Sequence, residues 1–228
     1  SPNSSSTPSS PSRELAMSGI DGHPTGGSEY LRNVYNLATQ ADTDAYYTQW
    51  AASYDDELTR QGYQTPRRCA EALRRFVAPD AAVLDIGCGT GLSGAALAAA
   101  GFTDLAGTDV NTEMLNVARA AGIYRRTWVT DIDDPFPFAG GTYDAIAAVG
   151  VIGIGAAPAS LLRRSLEALA IGGHMVFSYN DHALELPEFT DALTDAVSSG
   201  LAEPEFTEHG THIEGLGSMS TVFVLRRC

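Results

Sequence analysis

The sequence predicts an α/β fold: an open, doubly wound, mostly parallel seven-stranded sheet with an antiparallel edge hairpin, preceded by N-terminal helices. Three observations carry this. From Ala82 onward, short apolar runs alternate with amphipathic helical segments, the pattern of parallel strands joined by right-handed crossovers. The first of those runs ends in the glycine-dense turn of VLDIGCGTG, residues 83–91, and an Ala-rich helical segment follows at once. The last two apolar runs have no helix between them, so they can pair only as an antiparallel hairpin.

Along the chain, SPNSSSTPSSPS at 1–12 is low-complexity Ser/Pro, and the small-residue stretch to Ser28 extends it. Residues 1–28 are therefore expected to be a disordered tail, with Met17 as a candidate native start. Residues 29–78 read as N-terminal helices. Leu31, Val34, Tyr35 and Leu37 share one helical face, and Tyr46, Tyr47, Trp50, Ala51 and Tyr54 continue it. Thr65-Pro66 opens a further helix with an Ala70, Leu73, Phe76 and Val77 stripe, stopped at Pro79-Asp80. Residues 79–228 then form the main domain. Its strands are expected at Ala82–Ile86, Asp104–Thr108, Thr127–Thr130, Ala145–Val149, His174–Tyr179, Glu205–Glu208 and Thr221–Leu225. Its helices are expected at Leu92–Ala100, Thr112–Ala121, Ala159–Ala170 and Glu188–Ser199, with Gly101 and Gly122 stopping the first two.

Bulk composition narrows the partners. A chain of 228 residues suits one substantial α/β domain. A net charge of −14 disfavours nucleic acid, because phosphate backbones are bound mainly through Lys and Arg. It equally disfavours anionic membranes, and no apolar run approaches the length of a membrane span. A small, neutral or cationic substrate fits better. Three cysteines, Cys69, Cys88 and Cys228, without a C-x-x-C spacing suit a reduced, cytoplasmic protein with no disulfide framework and no metal site.

The turn after the first strand can be read two ways. From Gly89, GTGLSG satisfies the dinucleotide pattern G-x-G-x-x-G; from Asp85, DIGCGTG spells D-x-G-x-G-x-G. Asp109, ending the second strand, is placed to accept both hydroxyls of a ribose under either reading. Asp85 separates them. A carboxylate at the end of this strand suits the ammonium and sulfonium of S-adenosylmethionine and would repel the diphosphate of NAD. The helices ahead of the first strand and the closing hairpin point the same way.

VLDIGCGTG, LAGTDVNTEML, TYDAIAAVGVIG and IGGHMVFSYN, in this order and spacing, resemble the class I S-adenosylmethionine-dependent methyltransferases over roughly residues 45–228, implying a Rossmann-like methyltransferase fold. YYTQWAASYD at 46–55, GYQTP at 62–66 and TEMLNVARAAGIY at 112–124 are similar to the methyltransferase-like 27 (Williams-Beuren region) subgroup. The resemblance implies that Gly87, Gly89 and Gly91, with Cys88 in the same turn, line the methionine part of the cofactor, with Asp85 near its ammonium. Asp109 would hold the ribose and Val110 the adenine face. Asp131 and Ile132 would hold the adenine amine and ring. Val149 and Gly150 would face the transferred methyl, and the helices of residues 29–78 would form an N-terminal helical lid, with Tyr47, Trp50 and Tyr54 closing over the cofactor. An aromatic stripe at helical spacing is as readily core packing.

Methyl transfer is an in-line displacement, so a base is needed only if the nucleophile must lose a proton. His182 and Tyr179, after the fifth strand with Asn180, are the catalytic candidates; a surface histidine is the alternative for His182. EHGTH at 208–212 reads as a solvated loop or part of a substrate pocket, without a third metal ligand of clear spacing. VGVIGIG at 149–155 lacks the Asn/Asp-Pro-Pro-Tyr/Phe turn that accepts planar amines, which favours a small-molecule acceptor. Two other readings stay open. One is a binding protein that keeps the cofactor without turnover; the other is an NAD-dependent oxidoreductase, resting on GTGLSG alone.

Overall fold

The computed structural model describes Thr48, residues 53–131 and residues 136–228. Within residues 53–131, two helices, α1 (Tyr54–Arg60) and α2 (Thr65–Leu73), precede the sheet. Helix α1 carries Asp55, Asp56 and Glu57 in its first turn and Arg60 in its last, matching the helix dipole. Helix α2 starts at Thr65, with Pro66 in its first turn, and ends at Leu73, earlier than the expected stop at Pro79. Beyond it Phe76 N–H turns back onto the Leu73 carbonyl at 3.0 Å, and the Phe76 side chain is left partly exposed rather than continuing the buried stripe.

The alternating unit then follows as β1 (Ala82–Ile86), α3 (Leu92–Ala99), β2 (Asp104–Asp109), α4 (Thr112–Ala121), β3 (Arg126–Val129), β4 (Ala145–Ala148), α5 (Ser160–Ala168) and β5 (His174–Asn180). A short α6 (Asp181–Leu184) and α7 (Pro187–Ser198) lead to β6 (Ala202–Ile213) and β7 (Ser218–Arg227). Asn111 caps α4 by accepting from the Glu113 and Met114 amides, and Gly122 closes it in the left-handed conformation at φ 68°.

The seven strands form one sheet in the order β3-β2-β1-β4-β5-β7-β6. The five strands β1 to β5 run parallel, while β7 is antiparallel to both β5 and β6. Alternation along the strands sorts the core into two layers. Val83, Ala145, Ala147, Val176, Val222 and Val224 pack with Cys69, Leu73 and Leu97 on the α2–α3 face. Leu84, Ile86, Ile146, Met175, Phe177 and Leu225 pack with Leu162, Leu166 and Phe189 on the α5–α7 face.

The hairpin differs from expectation in extent. Strand β6 was expected only at Glu205–Glu208, but its pairing with β7 runs from Ala202 to Ile213 and takes in EHGTH, so that segment is strand and not loop. Register shifts at Pro204/Phe206 and Thr211/Ile213 break the two-residue period that would have revealed it. Glu203, Glu205 and Glu208 keep this edge charged, which discourages further strand pairing.

Candidate active site

The chain leaves β1 for β2 and β3 on one side and returns to β4 on the other, so a crevice opens at the C-terminal ends of β1 and β4. The space it encloses, including the part open to solvent, is about 930 Å³. Tyr54, Gly87, Gly89, Asp109, Val110, Asp131, Val149 and Gly150 line it, all of them singled out from the sequence. Tyr47, Trp50 and Ile132 lie outside the described residues.

Gly87 sits at φ 65°, and a Cβ there would lie 2.0 Å from Val151 Cγ2, so the turn admits no side chain at this point. Gly89, at φ 53°, meets nothing within 4 Å where its Cβ would be, so the backbone itself faces open space. Three of the turn's amides already have protein acceptors. Cys88 N–H donates to the Thr108 carbonyl at 3.0 Å and Gly91 N–H to the Cys88 carbonyl at 2.9 Å. Gly89 N–H donates to Asp109 Oδ2 at 2.8 Å, and Asn111 N–H to Asp109 Oδ1 at 2.8 Å. Asp109 thus ties the turn after β1 to the turn after β2 and stands half-buried in the crevice wall.

Three turn residues lie behind that wall. Asp85 is fully buried; its Oδ2 accepts from Ser93 at 2.6 Å and from Tyr124 at 2.7 Å. Asp85, expected to meet a ligand ammonium directly or through water, is thus outside the crevice lining. Asp85 shares its strand face with Val83 and points at α3, and burial pushes its carboxyl up to about 7. Cys88 is buried with Sγ 2.9 Å from where a Gly107 Cβ would stand, so it packs. Gly91, at φ 104°, caps α3 and is likewise buried, outside the crevice lining.

Neither catalytic candidate reaches the crevice. Tyr179 is fully buried against Phe177, Phe189 and Phe223, because it shares its strand face with Met175 and Phe177. Its hydroxyl has no hydrogen-bond partner among the described residues, and burial pushes its pKa up. His182 is exposed in α6, 3.9 Å from Glu185. Asn180 caps α6 through the Ala183 amide at 2.9 Å. Strand β6 also separates the two histidines of EHGTH: His209 is exposed and pairs with Asp181 at 2.9 Å, while His212 is buried against Thr65 at 2.8 Å.

The crevice includes residues that sequence reasoning missed. Asn111 lines it and donates to Thr48 Oγ1 at 2.9 Å; its place as a helix cap was a usable signal. Arg164, from α5, lines it with its guanidinium 5.3 Å from the centre of the Phe136 ring. Met114, Leu161 and Val151 add apolar wall. No local pattern marks Arg164 or Leu161, since their helix face is chosen by the sheet they pack on.

The family model described as a methyltransferase domain matches residues 61–214. Methyltransferase-like protein 27 from Homo sapiens is 32% identical over 136 residues, covering 58% of this chain and 56% of that protein, so the match spans just over half of the relative's length. A TehB-like SAM-dependent methyltransferase from Corynebacterium glutamicum superposes with a TM-score of 0.56 at 23% identity, over 83% of this chain and 100% of that one. The [4+2]-cyclase SpnF superposes with a TM-score of 0.63 at 13% identity, over 84% and 97%. These two likenesses show the fold alone. The family match extends over more than half of the chain and covers the glycine turn, Asp109 and the strands that carry them, and on that basis the chain belongs to the methyltransferase-domain family.

Proposed function

We propose that the chain binds S-adenosylmethionine in this crevice and directs methyl transfer to a small-molecule acceptor. One observation carries the reading. The amides of Cys88, Gly89 and Gly91, which a dinucleotide site would offer to a diphosphate, are spent on protein acceptors, one of them the Asp109 carboxylate. A diphosphate would meet a negative group here, whereas ribose hydroxyls and a cationic sulfonium would not be repelled.

The residues fit the cofactor. Asp109 keeps lone pairs for two ribose hydroxyls beyond the two amides it accepts. Val110, Met114 and Leu161 supply apolar surface for a purine, with Asp131 at its edge. Gly87 and Gly89 let the backbone approach the methionine portion, and Val149 and Gly150 close the methyl end. S-adenosylmethionine supplies the methyl carbon and the thioether leaving group. The protein's part is alignment and exclusion of water by a largely apolar wall. Because neither His182 nor Tyr179 reaches the crevice, an acceptor that needs no base from those residues fits best.

Residues 29–78 act as the lid and 79–228 as the cofactor domain in this reading. Thr90 Oγ1 donates to Asp55, and Asn111 donates to Thr48, so the segment ahead of β1 is fastened to both cofactor turns. The apolar Val149–Val151 wall and the charge of −14 favour a small acceptor over nucleic acid. Among the described residues no helix is long and apolar enough to cross a membrane. Cys69 and Cys88 are buried free thiols and Cys228 an exposed one, as suits a reducing cytoplasmic setting.

Calorimetric titration of the chain and of Asp109→Ala tests the cofactor. The wild type is expected to saturate with S-adenosylmethionine and S-adenosylhomocysteine and to show no heat with NADH. Asp109→Ala is expected to lose about 100-fold or more in affinity, as removal of a charged group that also orders two turns implies. Binding of NADH alone would overturn the reading.

A further inference from the structure

Helix α1 has only seven residues, too few to hold a helix without outside contacts, and its two ends are held differently. Past its last turn, main-chain bonds tie the chain to the β6–β7 hairpin. Glu214 N–H donates to the Gly62 carbonyl at 3.2 Å, and Gly215 N–H to the Gln61 carbonyl at 2.8 Å. At the other end, among the described residues, Ser53 offers no side-chain cap. There the first turn is held by Asp55, whose Oδ1 accepts from Thr90 Oγ1. Thr90 is buried and stands between Gly89 and Gly91, so the start of α1 is bound to the middle of the glycine turn.

That bond sits next to a crevice residue. Tyr54 immediately precedes Asp55; it packs against Leu58 and Ile213 and lines the crevice together with Gly89 and Asp109. The turn that grips Asp55 also orders the Asp109 carboxylate, since Gly89 N–H donates to its Oδ2 at 2.8 Å. Asn111 repeats the arrangement from the second turn. Its N–H donates to Asp109 Oδ1 at 2.8 Å, while its Nδ2 donates to Thr48 Oγ1 at 2.9 Å. The backbone that sets Asp109 and the side chains that grip the segment ahead of β1 are thus neighbours in both turns.

We propose that Asp55 and Thr90 are positioning residues: their hydrogen bond holds Tyr54 in the crevice wall and so slows release of the bound cofactor. The inference rests on the S-adenosylmethionine reading above. Asp55 and Thr90 are not part of the crevice lining, so they act through Tyr54. With the bond made, the arrangement that keeps Tyr54 in the wall dominates; without it, the population shifts toward one from which a ligand leaves freely. A hydrogen bond to a charged group is worth about tenfold or more in such an equilibrium, and the change is read mainly in the dissociation rate.

Stopped-flow displacement of S-adenosylhomocysteine tests this without knowledge of the acceptor. Thr90→Val keeps the branched shape and removes the hydroxyl, whereas Thr90→Ser keeps the hydroxyl. Thr90→Val is expected to speed release about 10-fold, and Thr90→Ser to stay within about twofold of the wild type. Asp55→Ala leaves the glycine turn untouched and is expected to match Thr90→Val, so it carries the test if the turn variant fails to fold. In a Tyr54→Ala background neither substitution should add more than about twofold, because the residue they position is gone. Unchanged release in both variants, or an acceleration just as large without Tyr54, overturns the inference. A wild type that does not bind S-adenosylhomocysteine would sink the cofactor reading itself, which separates the two failures.

Discussion

Two buried polar networks lie on the α2–α3 face of the sheet, and their construction contrasts. Behind the glycine turn, Ser93 and Tyr124 both donate to Oδ2 of Asp85, while Oδ1 is buried with no hydrogen-bond partner among the described residues. Under the hairpin, Arg68 donates to the Thr211 carbonyl at 3.0 Å, to Ser220 Oγ at 3.0 Å and carbonyl at 3.2 Å, and to the Glu208 carbonyl at 2.8 Å. Its Nε adds Glu208 Oε1 at 3.3 Å, and Thr65 links Ser220 to His212. The first network leaves a carboxyl half-satisfied beside the site. The second engages all three nitrogens of a guanidinium and joins α2 to strands some 140 or more residues away. A half-satisfied buried acid shifts toward its neutral form, whereas a well-bonded cation fixes a frame.

The contrast is broken most forcefully at Arg68. Arg68→Ala strands several carbonyls and leaves a gap where the guanidinium now lies 2.9 Å from the position of a Gly210 Cβ. Loss of one member of a buried, hydrogen-bonded charged group costs about 3–5 kcal/mol, which in a chain of this size lowers the melting temperature by roughly 10 °C. Calorimetry should show that loss. On the protein that remains folded, S-adenosylmethionine affinity is expected to stay within about twofold. A large affinity change with little loss of stability would mean that the hairpin network belongs to the site.

The pH dependence of stability sharpens the comparison, because the two networks have opposite signs. Burial pushes Asp85 up to about 7, so between the ordinary carboxylate range and 7 the folded chain holds a proton that the unfolded chain has released. Its contribution falls as pH rises through that window. Burial, then the charge of Arg68, pushes His212 down to about 4, so between 4 and 6.5 the unfolded chain holds the extra proton. Its contribution rises with pH there. Between about pH 4 and 6.5 the two slopes, each about 1.4 kcal/mol per pH unit, oppose one another. Asp85→Asn is expected to expose the rising slope of His212, and His212→Gln the falling slope of Asp85. Denaturant unfolding at pH 4.5, 5.5 and 6.5 reads both; parallel profiles for the two variants would refute the assignment.

The same contrast marks what the sequence could reveal. VLDIGCGTG, the α4 boundaries and Asp109 were legible because each rests on a strand, a turn and a helix contiguous in the chain. Asp131 and Val149 were placed by resemblance and do line the crevice. Tyr179 was misjudged although the signal was present: Met175, Phe177 and Tyr179 alternate onto one face, and that face is core. Asp85 shares its parity with Val83 in the same way, but nothing nearby shows that Tyr124 arrives to cover it. The hairpin network was hidden more thoroughly. Bulges break the β6 period, and Arg68 sits on a helix whose inward face is chosen by strands far along the chain.

The smallest expected effect separates packing from hydrogen bonding within the first network. The Tyr124 ring occupies the space that Gly94 and Gly107 leave open: a Cβ at Gly94 would lie 2.3 Å from its ring, and one at Gly107 3.1 Å. Phe keeps that ring, so Tyr124→Phe removes the hydroxyl and with it the 2.7 Å hydrogen bond to Asp85. The phenol favours the ionised carboxyl, so its loss raises Asp85 further and weakens the protein more at pH 8 than at pH 5. At pH 8 the cost is expected to be about 1–2 kcal/mol. In an Asp85→Asn background most of that difference should vanish, because the charge that the hydroxyl serves is gone. If the cost is the same in both backgrounds and at both pH values, the hydroxyl acts through something other than Asp85. The carboxyl's raised pKa then rests on burial, with the Ser93 hydrogen bond alone opposing it.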